Sequence, residues 1–149
     1  WLKPEMCLTV DYGQNAAVAE INASEQVCRA LGLRHTVLTN RLVDLAVGEM
    51  SQQTSSWHSP HAEFWPFRNQ YLATLAGMYS IKHGYDRVLI GTVTTDSRHR
   101  DGTHDFVNAI DALMSSQEGG IHYVAPAISM TSAELVRQSG FVNQLQKQT

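Results

Sequence analysis

Three polar clusters carry the residue types that do chemistry: Asp11-Tyr12-Gly13-Gln14, Trp65-Pro66-Phe67-Arg68-Asn69, and the stretch Thr92 to His104, TVTTDSRHRDGTH. Arg68 stands at the start of an expected helix, where free backbone N–H groups and the helix dipole favour an anion. Its forked guanidinium adds charge-assisted bonds, so a phosphate or a carboxylate fits there. The structural alternative is an ion pair with a carboxylate such as Asp96. Asp96 and Asp101 share their loop with Arg98, His99, Arg100 and His104. That mixture suits a metal, a proton transfer or substrate recognition, and residue types alone do not choose among them. Its spacing matches no familiar zinc or calcium pattern, and neither does the pair His58 and His61. Arg98 and Arg100 also read as solvent-facing charges, and Glu25, Glu49 and Glu118 as surface residues. No GxGxxG, no GxxxxGK[ST] and no serine nucleophile elbow occurs in the sequence; Gly119-Gly120 reads as a turn before a strand. No single residue is singled out as catalytic.

The elements that must position these clusters follow from the apolar pattern. Met6 to Val10 is a nearly continuous apolar run, the signature of a strand buried on both faces, and it stops at Asp11. Asn15 is placed to cap a helix running to Leu31, with Ala17, Ile21, Cys28 and Leu31 on one face and Gly32 as a left-handed stop. His35 to Leu38 is a second strand. A short helical piece is expected over 42–47, and 51–60 has the polar, small-residue composition of a long loop. Arg68 to His83 carries the helical stripe Leu72, Leu75, Ala76 and Tyr79, with Ala73 and Gly77 small enough for close packing. Arg87 to Thr92 is a third strand that includes Gly91, followed by a helix marked by Phe106, Ile110, Leu113 and Met114. Ile121 to Ala125 is the last strand. Thr131 to Glu134 is a capping box opening a helix that ends at Gly140. Strands alternating with helices predict an α/β fold: an open, mostly parallel sheet with helices on both faces. In such sheets ligands bind outside the carboxyl ends of the strands; Asp11–Gln14 follows the first strand, Thr92–His104 the third, and Trp65–Asn69 leads into the long helix, so that all three are expected to line one crevice.

Composition narrows the classes. A length of 149 residues with 43% hydrophobic and 17% charged residues predicts one folded domain rather than a disordered chain. The net charge of −3 and the lack of a Lys/Arg run argue against direct binding of nucleic acid. No window is long and apolar enough for a membrane span and no secretory leader is visible, which predicts a cytoplasmic protein. Two cysteines, Cys7 and Cys28, are too few for a disulfide framework and read as buried thiols.

Taken together, LTVDYGQ, then WPFRNQYLATLAGMYSIKHGYDRVLIGTVTTDSRHRDGTHDFVNAIDALM, then APAISMTSAELVRQSG resemble the 7-cyano-7-deazaguanine synthase family, the QueC group of the N-type ATP pyrophosphatases. The resemblance runs from about Leu8 to Gly140 in matching order. It implies a Rossmann-like, adenine nucleotide alpha-hydrolase-like (HUP) fold and an enzyme using ATP and Mg2+ to activate the carboxylate of a 7-deazapurine. Ammonia then displaces the activated oxygen to give an amide, which is dehydrated to a nitrile on the way to queuosine or in a defence-related variant. Carried over by position, Asp11, Tyr12, Gly13, Gln14, Arg68, Asn69, Gly91, Asp96 and Asp101 would bind nucleotide or substrate. A homodimer is the assembly implied.

The departures are specific. The family's SGGxDS pyrophosphate loop and its zinc-binding cysteine cluster have no counterpart in these 149 residues, so Zn2+, expected in the family, has no ligands here. The expectation is a single domain over 1–149 that is the retained part of a longer chain, with 141–149 as an unmatched tail; true degeneration is the alternative. Within the matched region Asn15-Ala16-Ala17 replaces the basic pair that usually follows DYGQ, VPGRN reads WPFRN, and YPDCR reads HRDGT. A shifted acceptor, a non-catalytic nucleotide- or partner-binding subunit, and a sibling activity such as tRNA thiolation are the competing readings.

Overall fold

A computed structural model describes residues 3–41, 45 and 65–139. The helical piece expected over 42–47 and the loop over 51–60 lie outside the described residues, apart from position 45. The chain packs as two compact units, Trp1–Arg68 and Asn69–Thr149.

In the first unit, strand β1 (Met6–Asp11) pairs in parallel with β2 (Arg34–Thr39), from Met6 opposite Arg34 to Asp11 opposite Thr39. Helix α1 (Ala17–Leu31) joins them as a β-α-β unit. Gly32 ends α1 in the left-handed conformation, φ 64°, and the Leu33 N–H reaches back to the Cys28 carbonyl at 2.9 Å. The N-cap of α1 is Ala16 rather than the expected Asn15. Ala16 makes no side-chain capping bond, and the Gln14 carbonyl accepts the Ala17 N–H at 3.1 Å. A second correction concerns burial: Met6 to Val10 are half-buried rather than enclosed on both faces. Among the described residues β1 has a strand neighbour on one side only. Ala17 and Cys28 are buried as expected, but Leu31, the last residue of α1, is 46% exposed.

Cys28 is buried and its thiol hydrogen-bonds that of Cys7 across the α1–β1 contact; both cysteines are free. Burial first, then this neighbour, pushes the Cys7 thiol up to about 11. The thiolate is the reactive form, so alkylation of Cys7 in the folded protein is expected to be slow at pH 8 and to accelerate only as pH approaches 11. Mass mapping of the alkylated peptide against pH checks this; a rate already maximal near pH 9 would show an ordinary thiol. The stabilising contribution of the neutral thiol is complete below the ordinary thiol range and is lost as pH rises through the raised value.

The second unit contains α2 (Arg68–His83, from its second residue on), β3 (Arg87–Leu89), α3 (His104–Ser115), β4 (His122–Val124) and α4 (Ser132–Ser139). Its core is Ala73, Ile110, Met114, Ile121 and Tyr123, with Val88, Ile90, Phe106 and Val107 packed against it. On α2 the buried positions are the small residues Ala73, Gly77 and Ser80. Their size lets the helix approach α3 closely: a Cβ added at Gly77 would lie 2.8 Å from Met114 Cε. Leu113, expected on the buried stripe of α3, is 53% exposed. Thr103 caps α3 by accepting the Phe106 N–H at 3.3 Å. The expected capping box of α4 is present: Thr131 N–H donates to Glu134 Oε2 at 2.8 Å, and Glu134 N–H to Thr131 Oγ1 at 3.2 Å. The Thr131 N–H bond, together with the Thr131 hydroxyl donating to the same Oε2 at 2.9 Å, holds the Glu134 carboxyl below the usual carboxylate range.

β3 and β4 are shorter than expected. They pair in parallel from Arg87 opposite His122 to Leu89 opposite Val124, and the Ile90 N–H still reaches the Val124 carbonyl at 2.9 Å before the pairing ends. Among the described residues the strands form two two-stranded parallel sheets, β1-β2 and β3-β4, where one open sheet was expected. The α/β class holds, with short parallel sheets and four α-helices in the described residues. No helix there is long and apolar enough to cross a membrane.

Candidate functional site

The Asp11–Gln14 segment leaves the C-terminal end of β1 as a closed hydrogen-bonded turn. Asp11 Oδ1 accepts the Gly13 N–H at 3.0 Å, and Asp11 Oδ2 accepts from Arg41 Nη2 at 3.0 Å. Gln14 Oε1 accepts the Tyr12 N–H at 3.0 Å, while Gln14 Nε2 donates to the Val10 carbonyl at 3.2 Å and to Glu20 Oε2 at 2.8 Å. Asp11, Tyr12 and Gln14 are all buried. Buried polar groups without partners are expensive, and these side chains satisfy one another and the local backbone. They therefore build the wall of the turn. The Asp11–Arg41 contact spans 30 residues and carries no local signal in the sequence.

The WPFRN segment belongs to the same unit up to Arg68. The Trp65 ring is buried and meets Tyr12 edge to face, centroids 4.9 Å apart at 88°. The Arg68 N–H donates to the Trp65 carbonyl at 3.3 Å, closing the turn that starts α2. The Arg68 side chain hydrogen-bonds the Tyr12 phenol, a partner that the sequence reading did not include. Burial pushes the Tyr12 phenol up, and the Arg68 guanidinium pulls against that shift. Between Trp65 and Arg68, Phe67 is held at φ 55°. This is the position where the family pattern VPGRN has glycine, and the left-handed backbone is what glycine would take without strain.

In the second unit, the loop after β3 folds as two 3-10 turns, Thr94–Arg98 and Arg100–Gly102. Asp96 Oδ2 accepts the Val93 N–H at 3.0 Å, and the Asp96 carbonyl accepts the His99 N–H at 3.1 Å. Thr94 donates from both its N–H and its hydroxyl to the Met130 carbonyl, each at 2.9 Å, which ties this loop to the one after β4. Asn69, in the first turn of α2, donates from Nδ2 to the Asp101 carbonyl at 3.1 Å. The Tyr123 phenol is pushed up to about 12, mainly by burial and then by the nearby Asp101 carboxylate. Gly102 is buried against Asp96, and a Cβ there would lie 2.5 Å from the Asp96 carbonyl oxygen. Gly91 is exposed, with open space where a side chain would begin.

The structure thus brings Asn69, Asp96 and Asp101 into one loop system at the C-terminal ends of β3 and β4, with Gly91 at its entrance. It brings Asp11, Tyr12, Gly13, Gln14 and Arg68 together at the end of β1. Sequence reasoning missed Tyr123, whose alternating strand pattern reads only as core. It also missed the anchoring bond of Asn69, which no periodicity signals. His104 Nε2 lies 3.5 Å from Ser129 Oγ. No three His, Cys, Asp or Glu side chains among the described residues come together as a metal-binding group.

A sequence profile described as queuosine biosynthesis protein QueC matches residues 3–149. The chain belongs to the QueC family. Two proteins named 7-cyano-7-deazaguanine synthase are similar to it. That of Methanosarcina mazei is 28% identical over 159 residues, covering 93% of this chain and 69% of that protein. That of Methanosarcina barkeri is 28% identical over 156 residues, covering 91% and 68%. A third relative, named 7-cyano-7-deazaguanine synthase 1, from Desulfitobacterium hafniense, is 27% identical over 127 residues, covering 80% of this chain and 57% of that protein. In this QueC-family chain the turn after β1 and the loop after β3 both stand where parallel α/β proteins hold their ligands.

Proposed function

We propose that the protein acts as an ATP-dependent ligase of the 7-cyano-7-deazaguanine synthase type within a Rossmann-like domain. The observation that carries this reading is the QueC match over residues 3–149. A free carboxylate resists ammonia because its oxygen is a poor leaving group. ATP would supply the activation when bound: the carboxylate oxygen displaces pyrophosphate from the α-phosphorus and becomes part of an acyl–phosphate anhydride, whose leaving group is AMP. Ammonia attacks the activated carbonyl carbon and AMP departs with the activated oxygen; the amide oxygen would need the same activation by a second ATP, so that it leaves with AMP as two N–H protons are lost and the nitrile forms. Binding energy favours catalysis only where it is larger in the transition state, so the anion-binding residues matter most as charge develops.

In this chain Arg68 is the group with the charge and geometry for a phosphate or the acceptor carboxylate. Tyr12 orients it. Within the second unit Asn69 fixes the Asp101 backbone, and Asp96 and Asp101 are the carboxylates that this loop offers to a nucleotide or substrate. Asp11, Gly13 and Gln14 keep the β1 turn in shape. Mg2+ would enter with the phosphates. The described residues do not fit a zinc site, so no step is assigned to zinc. The reading takes a small deazapurine acid and ammonia as substrates, a homodimer as the assembly, the cytoplasm as the compartment and no direct nucleic-acid partner.

The test is release of AMP and pyrophosphate by the full-length protein with 7-carboxy-7-deazaguanine and ammonia. Acceptor-dependent release supports the ligase. ATP binding without cleavage, whatever the acceptor, would leave a nucleotide-binding subunit, and a tRNA gel shift at physiological salt would point to a thiolation-type sibling.

A further inference from the structure

Phe67 combines two features that each disfavour the folded state. Among the described residues it is the only non-glycine with a positive φ, 55°, and its side chain is 78% exposed. Left-handed backbone is strained for a bulky L-residue, and a ring in water returns none of the stabilisation that burial brings. Other exposed apolar residues, such as Val18 and Met78, sit inside regular helices with ordinary backbone. Scattered surface apolar residues of that kind need no explanation. Phe67 differs because its strain recovers nothing within the fold, the pattern found where a conformation serves a ligand.

The surroundings say what kind of ligand. The turn is anchored by the buried Trp65 ring against Tyr12, and the next residue, Arg68, hydrogen-bonds Tyr12. An exposed aromatic ring thus stands one residue before an arginine whose side chain is anchored on Tyr12. A flat ring stacks on a flat heterocycle regardless of its hydrogen-bonding edge, and the cation beside it favours a ligand that also carries an anion.

We propose that Phe67 is a stacking platform for the fused-ring heterocycle of an anionic ligand held at Arg68, and so a specificity-determining residue. This rests on the ligase reading, in which two ligands share that chemistry: the adenine of ATP and the 7-deazapurine acid.

Calorimetric titration of the full-length protein separates them. The wild type, Phe67→Gly and Phe67→Tyr are each titrated with a non-hydrolysable ATP analogue, with 7-carboxy-7-deazaguanine, and with tripolyphosphate as an anion without a ring. Glycine accepts φ 55° without strain, so Phe67→Gly folds and its melting temperature is not expected to fall. The expected result is a loss of roughly ten-fold or more in affinity for one of the two heterocycles, unchanged tripolyphosphate binding, and recovery in Phe67→Tyr. The ligand that weakens identifies the source. Equal binding of both heterocycles by wild type and Phe67→Gly overturns the stacking role and leaves the ligase reading standing. A wild type that binds neither heterocycle overturns both.

Discussion

Replacing Ile110 by alanine is expected to lower the unfolding free energy by about 3 kcal/mol, within the range for large-to-small changes at buried aliphatic positions. Ile110 is 5% exposed and lies among Ala73, Met114, Ile121 and Tyr123. Truncation removes apolar surface from that cluster and leaves a cavity that α3 cannot easily close, because the helix is tied at its start by the Thr103 cap. Total stabilities of small domains are about 5–15 kcal/mol, so the loss is a large fraction. Urea denaturation of the full-length protein with unchanged slope measures it. A loss below about 1 kcal/mol, the range of tolerated core swaps, would mean that Ile110 is not in a packed core. The same variant tests the loop indirectly, since Tyr123 belongs to this core and lies beside Asp101.

Gly102→Ala is the second large effect. An added Cβ would lie 2.5 Å from the Asp96 carbonyl oxygen and 2.9 Å from its carbonyl carbon. Both are backbone atoms, so no side-chain rotation relieves the clash and the two 3-10 turns must separate. Overpacking of this kind costs about 1–3 kcal/mol. The shift also disturbs the Gly102 N–H bond to the His99 carbonyl, 3.0 Å, and the placement of Asp101 next to it. The expected outcome is a lower urea midpoint together with faster hydrogen exchange at Gly102 and His99. If the ligase reading holds, the KM for the acceptor rises more than that for ATP. A variant as stable as the wild type, with unchanged exchange, would show that this close approach does not hold the loop.

How far the sequence was legible depends on the range of the interaction concerned. The α4 capping box, the Gly32 stop and the extent of α2 all rest on contacts within one or two turns, and each appears where the residues place it. The N-cap falls on Ala16 rather than Asn15 for a local reason too: the Gln14 carbonyl and Ala16 already open the helix, one residue later than an Asn15 cap would require. Strand length was overestimated because an apolar run continues through Ile90 whether or not a partner strand does, and β4 supplies three paired residues. The family resemblance located the site clusters, since order and spacing of several motifs survive in one dimension.

The roles within those clusters were not legible in the same way. Asp11 and Gln14 read as ligand-facing polar residues, and in the structure they satisfy the turn that carries them. Asn69 read as a binding residue beside Arg68, and the sequence held no sign that its amide also bonds a carbonyl 32 residues away. Phe67 looked like a simple departure from a family pattern until its backbone angle and exposure were known.

Residue order alone therefore determined the α/β class, the Gly32 stop of α1 and the start of α4, the membership of the QueC family and the positions of the three polar clusters. These follow from local hydrogen bonding, apolar periodicity and motif spacing, all of which are properties of neighbouring residues. Tertiary structure decided which polar groups are satisfied by the protein itself, which glycine a carbonyl excludes from carrying a side chain, and which aromatic ring is strained and exposed. Some of these depend on atoms about thirty positions apart, as in the Asp11–Arg41 and Asn69–Asp101 bonds, and others on how a short loop closes on itself, as with Gly102 against Asp96 or the Phe67 backbone angle, and no one-dimensional pattern encodes either.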